Sequence, residues 1–228
     1  MDSSLTRRRR IDPPVQIHKI YEQLYLSAQL RMSTPFTGDP LGFALRIAML
    51  ADLSLEGAIC LRSGHVSVCD NVVDDFILSE MQNKLRMRGA SPEEWVRIFN
   101  GESFTFSSLK IKKLRQRIGK VMEEAKMIRI ERKGMFRSNI ILDNTIRINI
   151  INDIMEYLKD DRHSLALDVL LVCMTFVQGI LTIILSTVTP QQARTAQAKI
   201  ERIKRRFNED IPGKGEEIIF ILMRWILK

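Results

Sequence analysis

Lys112 and Arg115 stand three residues apart in a run that also carries Lys110, Lys113, Arg117 and Lys120. On one helix face, side chains at that spacing converge on a single point. Arginine supplies a planar fork of donors and lysine a mobile point charge, a pairing suited to a phosphate. The same residues also read as a solvated basic face, their stems covering Ile111, Leu114, Ile118 and Met122. Enzymatic chemistry has no comparable foothold. His18, His65 and His163 are scattered, and the chain has no HExxH, GxSxG, Walker A loop or glycine-rich dinucleotide turn. Asp74-Asp75 and Glu123-Glu124 are adjacent pairs, which point apart on a helix instead of sharing a substrate. Cys60, His65 and Cys69 are three potential zinc ligands without a fourth. These residues point to a binding protein, with no catalytic residue, no metal and no cofactor.

Charge narrows the partner. The 228 residues carry 35 Lys and Arg against 27 Asp and Glu, a net +8. That surplus directs attention to nucleic acid, anionic lipid or an acidic protein surface. Cys60, Cys69 and Cys173 form no CxxC pair, which fits a reducing, cytosolic environment. Arg7, Arg8, Arg9 and Arg10 are followed by Asp12-Pro13-Pro14, not by the apolar stretch of a secretory signal. Residues 1–16 therefore read as a flexible basic tail and 17–228 as a single globular domain.

The elements that must position these residues are mostly helical. Ile17, Ile20, Leu24 and Ala28 have helical spacing, as do Leu41, Ala44, Leu45, Ala48, Met49 and Leu53 before Gly57. Ser63-Gly64 separates two short strands, 58–62 and 65–69. A helix is expected over 73–87. Ser91-Pro92-Glu93-Glu94 and Thr189-Pro190-Gln191-Gln192 are capping boxes that open two more. A longer helix is expected from about Phe106 to Ala125, and strands 127–131 and 138–142 flank Lys133-Gly134. Helices over 144–158 and 216–227, and a helix or helix pair over 164–188, complete a mainly α fold with small β-hairpins. The span from Val169 to Val188 holds no charged residue and is long enough to cross a bilayer. Thr175, Gln178, Gly179, Thr182, Ser186 and Thr187 interrupt it, so a helix buried in the protein core is the expected outcome.

A basic helix followed by a hairpin also describes a winged-helix element, which makes a nucleic-acid-binding protein using 109–125 the alternative reading. Met135 and Phe136, between Lys133 and Arg137, suit insertion at a charged membrane surface or packing against a neighbouring subunit.

EEWVRIFNGESF (93–104) and LKIKKLRQRIGKVMEEAKMI (109–128) resemble the Golgi phosphoprotein 3 family, which includes the yeast vacuolar protein sorting homologue. IYEQLYL (20–26), LEGAICL (55–61) and EEIIFILMRWILK (216–228) extend the resemblance through most of the chain. The resemblance implies a peripheral protein on the cytosolic face of Golgi membranes, exchanging with cytosol. It implies binding of phosphatidylinositol 4-phosphate and of glycosyltransferase cytosolic tails, linked to coatomer for retention and retrograde vesicle transport. Nucleic acid is then not a partner, and a homo-oligomer is compatible with the chain. The family's phosphate-binding residues fall on Arg46, Lys112 and Arg115. Its membrane-inserting tryptophan falls near Thr37, where Phe36 is the adjacent aromatic, and Met135 and Phe136 occupy the membrane-facing hairpin. Arg7, Arg8, Arg9 and Arg10 resemble a coatomer-contacting cluster, and an anionic-membrane tether is equally physical. A family glycine after the central helix is replaced by Lys126. These departures mark a divergent member.

Overall fold

The computed structural model describes residues 19–30, 39–133 and 137–228. Ten α-helices and two antiparallel hairpins are found there. At the centre lies α2 (Pro40–Leu55), opened by Asp39, whose side chain accepts the Gly42 N–H. Small residues at Ala44, Ala48 and Ala51 leave α2 thin enough to be enclosed on nearly every side. It packs against α1 (Ile20–Ala28), α4 (Pro92–Asn100), α7 (Leu165–Phe176) and α10 (Glu217–Ile226). Trp95, Phe99, Phe207 and Phe220 fill the spaces between these helices.

The first hairpin pairs β1 (Ile59–Arg62) with β2 (His65–Val68), and Arg62 faces His65 across the turn. Ser63 and Gly64 both have positive φ, the arrangement that lets a two-residue turn follow the strand twist. Between the hairpins come α3 (Phe76–Leu85), α4, a single 3-10 turn at Ser107–Leu109 and α5 (Leu114–Glu124). The second hairpin pairs β3 (Ile128–Lys133) with β4 (Arg137–Leu142), with Ile130 opposite Ile140. Its tip, including Met135 and Phe136, lies outside the described residues, as do Phe36, Arg7, Arg8, Arg9 and Arg10. After α6 (Asn144–Lys159) and α7 come α8 (Ile180–Ser186) and α9 (Pro190–Glu209).

The continuous helix expected from Phe106 to Ala125 is interrupted. Ile111 lies outside any helix and is fully buried, held on both sides of its backbone: its N–H donates to the Phe99 carbonyl and its carbonyl accepts from Arg46. Lys113 follows at φ 53°, a left-handed conformation that stops a helix from running through it. Helical periodicity alone does not register that tertiary pinning.

Three helices end in the same hydrogen-bonded motif. Ala58 donates to Leu53, Glu102 to Arg97 and Met127 to Met122, each reaching back five residues across a left-handed residue. Those residues are Gly57, Gly101 and Lys126. Lys126 has φ 60°, so this chain keeps the left-handed turn where the family resemblance places a glycine. The charge-free stretch forms α7 and α8, bent by 104° at a break where Gly179 has φ 92°. Among the described residues no single helix is long and apolar enough to cross a membrane. Val169–Met174 are wholly enclosed in the core.

Candidate anion-binding groove

Arg46 is reached by following α2 inward from its N-terminus. It belongs to a helix that is apolar nearly all round, so its guanidinium is carried into the interior and is only 5 % exposed. Nη1 donates to the Gly42 carbonyl one turn back, and Nη2 to the Ile111 carbonyl at 3.1 Å. Nε has no hydrogen-bond partner among the described residues. Nor does any carboxylate among them form an ion pair with this guanidinium. Burial lowers the Arg46 pKa, opposed by the nearby charges of Asp39 and Glu102. A buried cation hydrogen-bonded only to neutral carbonyls, with Asp39 and Glu102 acting on it without an ion pair, is incompletely compensated, which costs stability unless an anion joins it.

Above Arg46 lies a groove of about 1280 Å³. One wall is the segment that breaks the expected helix, contributing Lys110, Ile111 and Lys113. The start of α5 adds Leu114, Arg115, Gln116, Gly119, Lys120 and Glu123. Asp39, Asn100, Tyr25 and the hairpin pair Ile130–Ile140 close the remaining sides. Five cationic side chains thus face two carboxylates. Both carboxylates are engaged: Asp39 accepts from Gly42 and lies 3.3 Å from Arg115 Nη1, and Glu123 accepts the Ile130 N–H at 3.0 Å. A Cβ at position 42 would sit 1.9 Å from Asp39 Oδ2, so Gly42 is what lets Asp39 fold back over the helix end. The N-terminus of α2 adds its positive dipole end to the same region.

Arg46 and Arg115 therefore share one groove. Lys112 is exposed in the turn leading into α5 and does not line it. Because α5 begins at Leu114, Lys112 and Arg115 are not related by helical spacing; Lys110, Lys113 and Lys120 are the lysines of the wall. Sequence reasoning passed over Lys110 and Lys113 as site residues because it placed them on a regular helix. Tyr25 and Gly119 were also missed, and only their approach across the fold marks them. Cys60, His65 and Cys69 are not among any metal-holding group: none of three or more His, Cys, Asp or Glu occurs among the described residues.

A comparison with curated proteins gave no match. The family model described as Golgi phosphoprotein 3 (GPP34) matches residues 20–216, a stretch that contains α1 through α9 and every described wall of the groove. That family is Golgi-associated and of a non-catalytic, adaptor type. With most of its length matched and its basic groove enclosed by the matched region, this chain belongs to the Golgi phosphoprotein 3 (GPP34) family.

Proposed function

We propose that the protein is a peripheral adaptor on the cytosolic face of Golgi membranes, where it binds phosphatidylinositol 4-phosphate and links glycosyltransferase tails to coatomer. The observation that carries this reading is Arg46, a buried cation with no carboxylate ion pair among the described residues, beneath a groove walled by four further cations. A phosphate monoester supplies the missing charge, and its oxygens suit the arginine fork of Arg115 and the point charges of Lys110 and Lys113. Lys112 acts from the exposed turn beside this wall. Phe36, Met135 and Phe136 dip into the interface, and Arg7, Arg8, Arg9 and Arg10 recruit coat or add attraction to anionic lipid. Membrane attachment of this kind is reversible and needs more than one such signal.

The test is flotation of purified protein with vesicles carrying phosphatidylinositol 4-phosphate, against phosphatidylserine vesicles of equal surface charge. The wild type floats selectively with the phosphoinositide. Arg46→Met and the Lys112→Ala/Arg115→Ala double variant lose that selectivity while remaining folded. Folded variants that float like the wild type would overturn the assignment of the groove.

A further inference from the structure

Tyr25 and Gly119 meet across the interface of α1 and α5. A Cβ built on Gly119 would lie 2.5 Å from the Tyr25 hydroxyl oxygen and 3.4 Å from Cζ. The hydroxyl thus occupies the space that any other residue at 119 would fill. Glycine in a helix interior is destabilising relative to alanine, so its presence in α5 calls for a reason. Packing alone does not supply one, since phenylalanine at 25 with alanine at 119 would fill the same volume. Tyr25 is 2 % exposed, yet it lines the groove, and no hydrogen bond to its hydroxyl occurs among the described residues. Burial raises the phenol's pKa to about 12, with Arg115 lowering it and Glu123 raising it, so the group is neutral and within the field of both side chains.

We infer that Tyr25 is a specificity-determining residue, its hydroxyl donating a hydrogen bond to the phosphate or sugar oxygen of a phosphoinositide headgroup through the gap that Gly119 leaves. This deepens the proposed function and rests on it. Cations attract any anion, whereas a fixed neutral donor rewards one position of a ligand oxygen. The groove would thereby distinguish a headgroup from equally charged lipid.

The experiment compares wild type, Tyr25→Phe, Gly119→Ala and the Tyr25→Phe/Gly119→Ala double variant. Each is titrated with phosphatidylinositol 4-phosphate vesicles and with phosphatidylserine vesicles of matched charge. Tyr25→Phe weakens phosphoinositide binding about tenfold and leaves phosphatidylserine binding unchanged. Gly119→Ala weakens it similarly, because the new methyl displaces the hydroxyl. The double variant is no weaker than Tyr25→Phe alone and is more thermostable than Gly119→Ala. Soluble glycerophosphoinositol 4-phosphate competes with the vesicles for wild type and about tenfold less well for Tyr25→Phe; no competition would overturn a headgroup contact. If wild type prefers the phosphoinositide, Arg46→Met abolishes the preference and Tyr25→Phe retains it fully, the inference fails and the function stands. If wild type shows no preference, both fail.

Discussion

Asp52, three-quarters of the way along α2, caps the first helix at Tyr21: its two carboxylate oxygens accept the N–H groups of Ile20 and Tyr21 at 2.9 and 3.1 Å. Lys19, at the local cap position, offers α1 no side-chain capping hydrogen bond, so α1 begins where α2 permits it to begin. Burial of this carboxylate pushes its pKa up to about 7, against the opposing pull of the two N–H groups and Lys19. A raised pKa means that the folded protein retains a proton the unfolded chain has released. The associated stability is present on the acid side and is lost as pH rises through about 7. The chemical-denaturation midpoint should therefore fall between pH 5 and pH 8 in wild type and fall less in Asp52→Asn. Parallel curves for the two proteins would remove Asp52 as the cause.

The ion pair between Asp39 and Arg115 places a carboxylate at the groove where a ligand phosphate would compete with it. Both side chains are nearly half exposed, so the pair itself is weak. Asp39→Asn keeps a good helix cap and removes the competing charge. Affinity for phosphatidylinositol 4-phosphate vesicles should rise about threefold with little change in thermal stability. A fall in affinity would show that Asp39 helps the site instead of opposing it.

Lys126 holds a left-handed conformation at the end of α5 that glycine adopts without strain. Lys126→Gly should stabilise the protein by roughly 0.5 kcal/mol, the relief of strain being partly offset by greater freedom of the unfolded chain. Urea titration at fixed pH reads this directly. A loss of more than that amount would mean that the lysine side chain contributes a contact of its own.

Lys199 is buried, with its ammonium donating to the carbonyls of Tyr157, Asp160 and Arg162 and lying 3.7 Å from the Tyr157 ring centroid. It closes the C-terminal end of α6, which helices otherwise leave with unpaired carbonyls. Lys199→Met should cost about 2–3 kcal/mol, since three carbonyls lose a charged donor at once. Differential scanning calorimetry on the full chain would register the change, and an unaltered transition would rule out this role.

Local signals in the sequence located the elements well where the cause was local. The Ser63-Gly64 turn and the Thr189 capping box both depend on residues within a few positions of each other. At the Ser91 box the signal was half right: Ser91 accepts from the Glu94 N–H, but the Glu94 side chain turns to Arg88. What escaped depends on distant partners. Arg46 and Ile111 are bonded across 65 positions, and that bond is why the 110–113 segment leaves the helix and brings Lys110 and Lys113 into the groove wall. Arg46 itself was named only through family resemblance; a lone arginine in an apolar helix was its one intrinsic signal. Tyr25 with Gly119, and Lys199 with Tyr157, are likewise legible only once helices are packed.

The groove draws its walls from α1, α2, the α4 end, α5 and the second hairpin, so no short excised segment reproduces it. A ligand that needs all of these together has no counterpart to bind in the unfolded chain. Its occupancy is thus tied to the unfolding equilibrium, adding about 2.7 kcal/mol at a hundredfold excess over Kd. If the proposed lipid binding holds, protein held on a membrane by this groove should resist proteolysis longer than the same protein in solution, and the lipid would then set the protein's lifetime as well as its address.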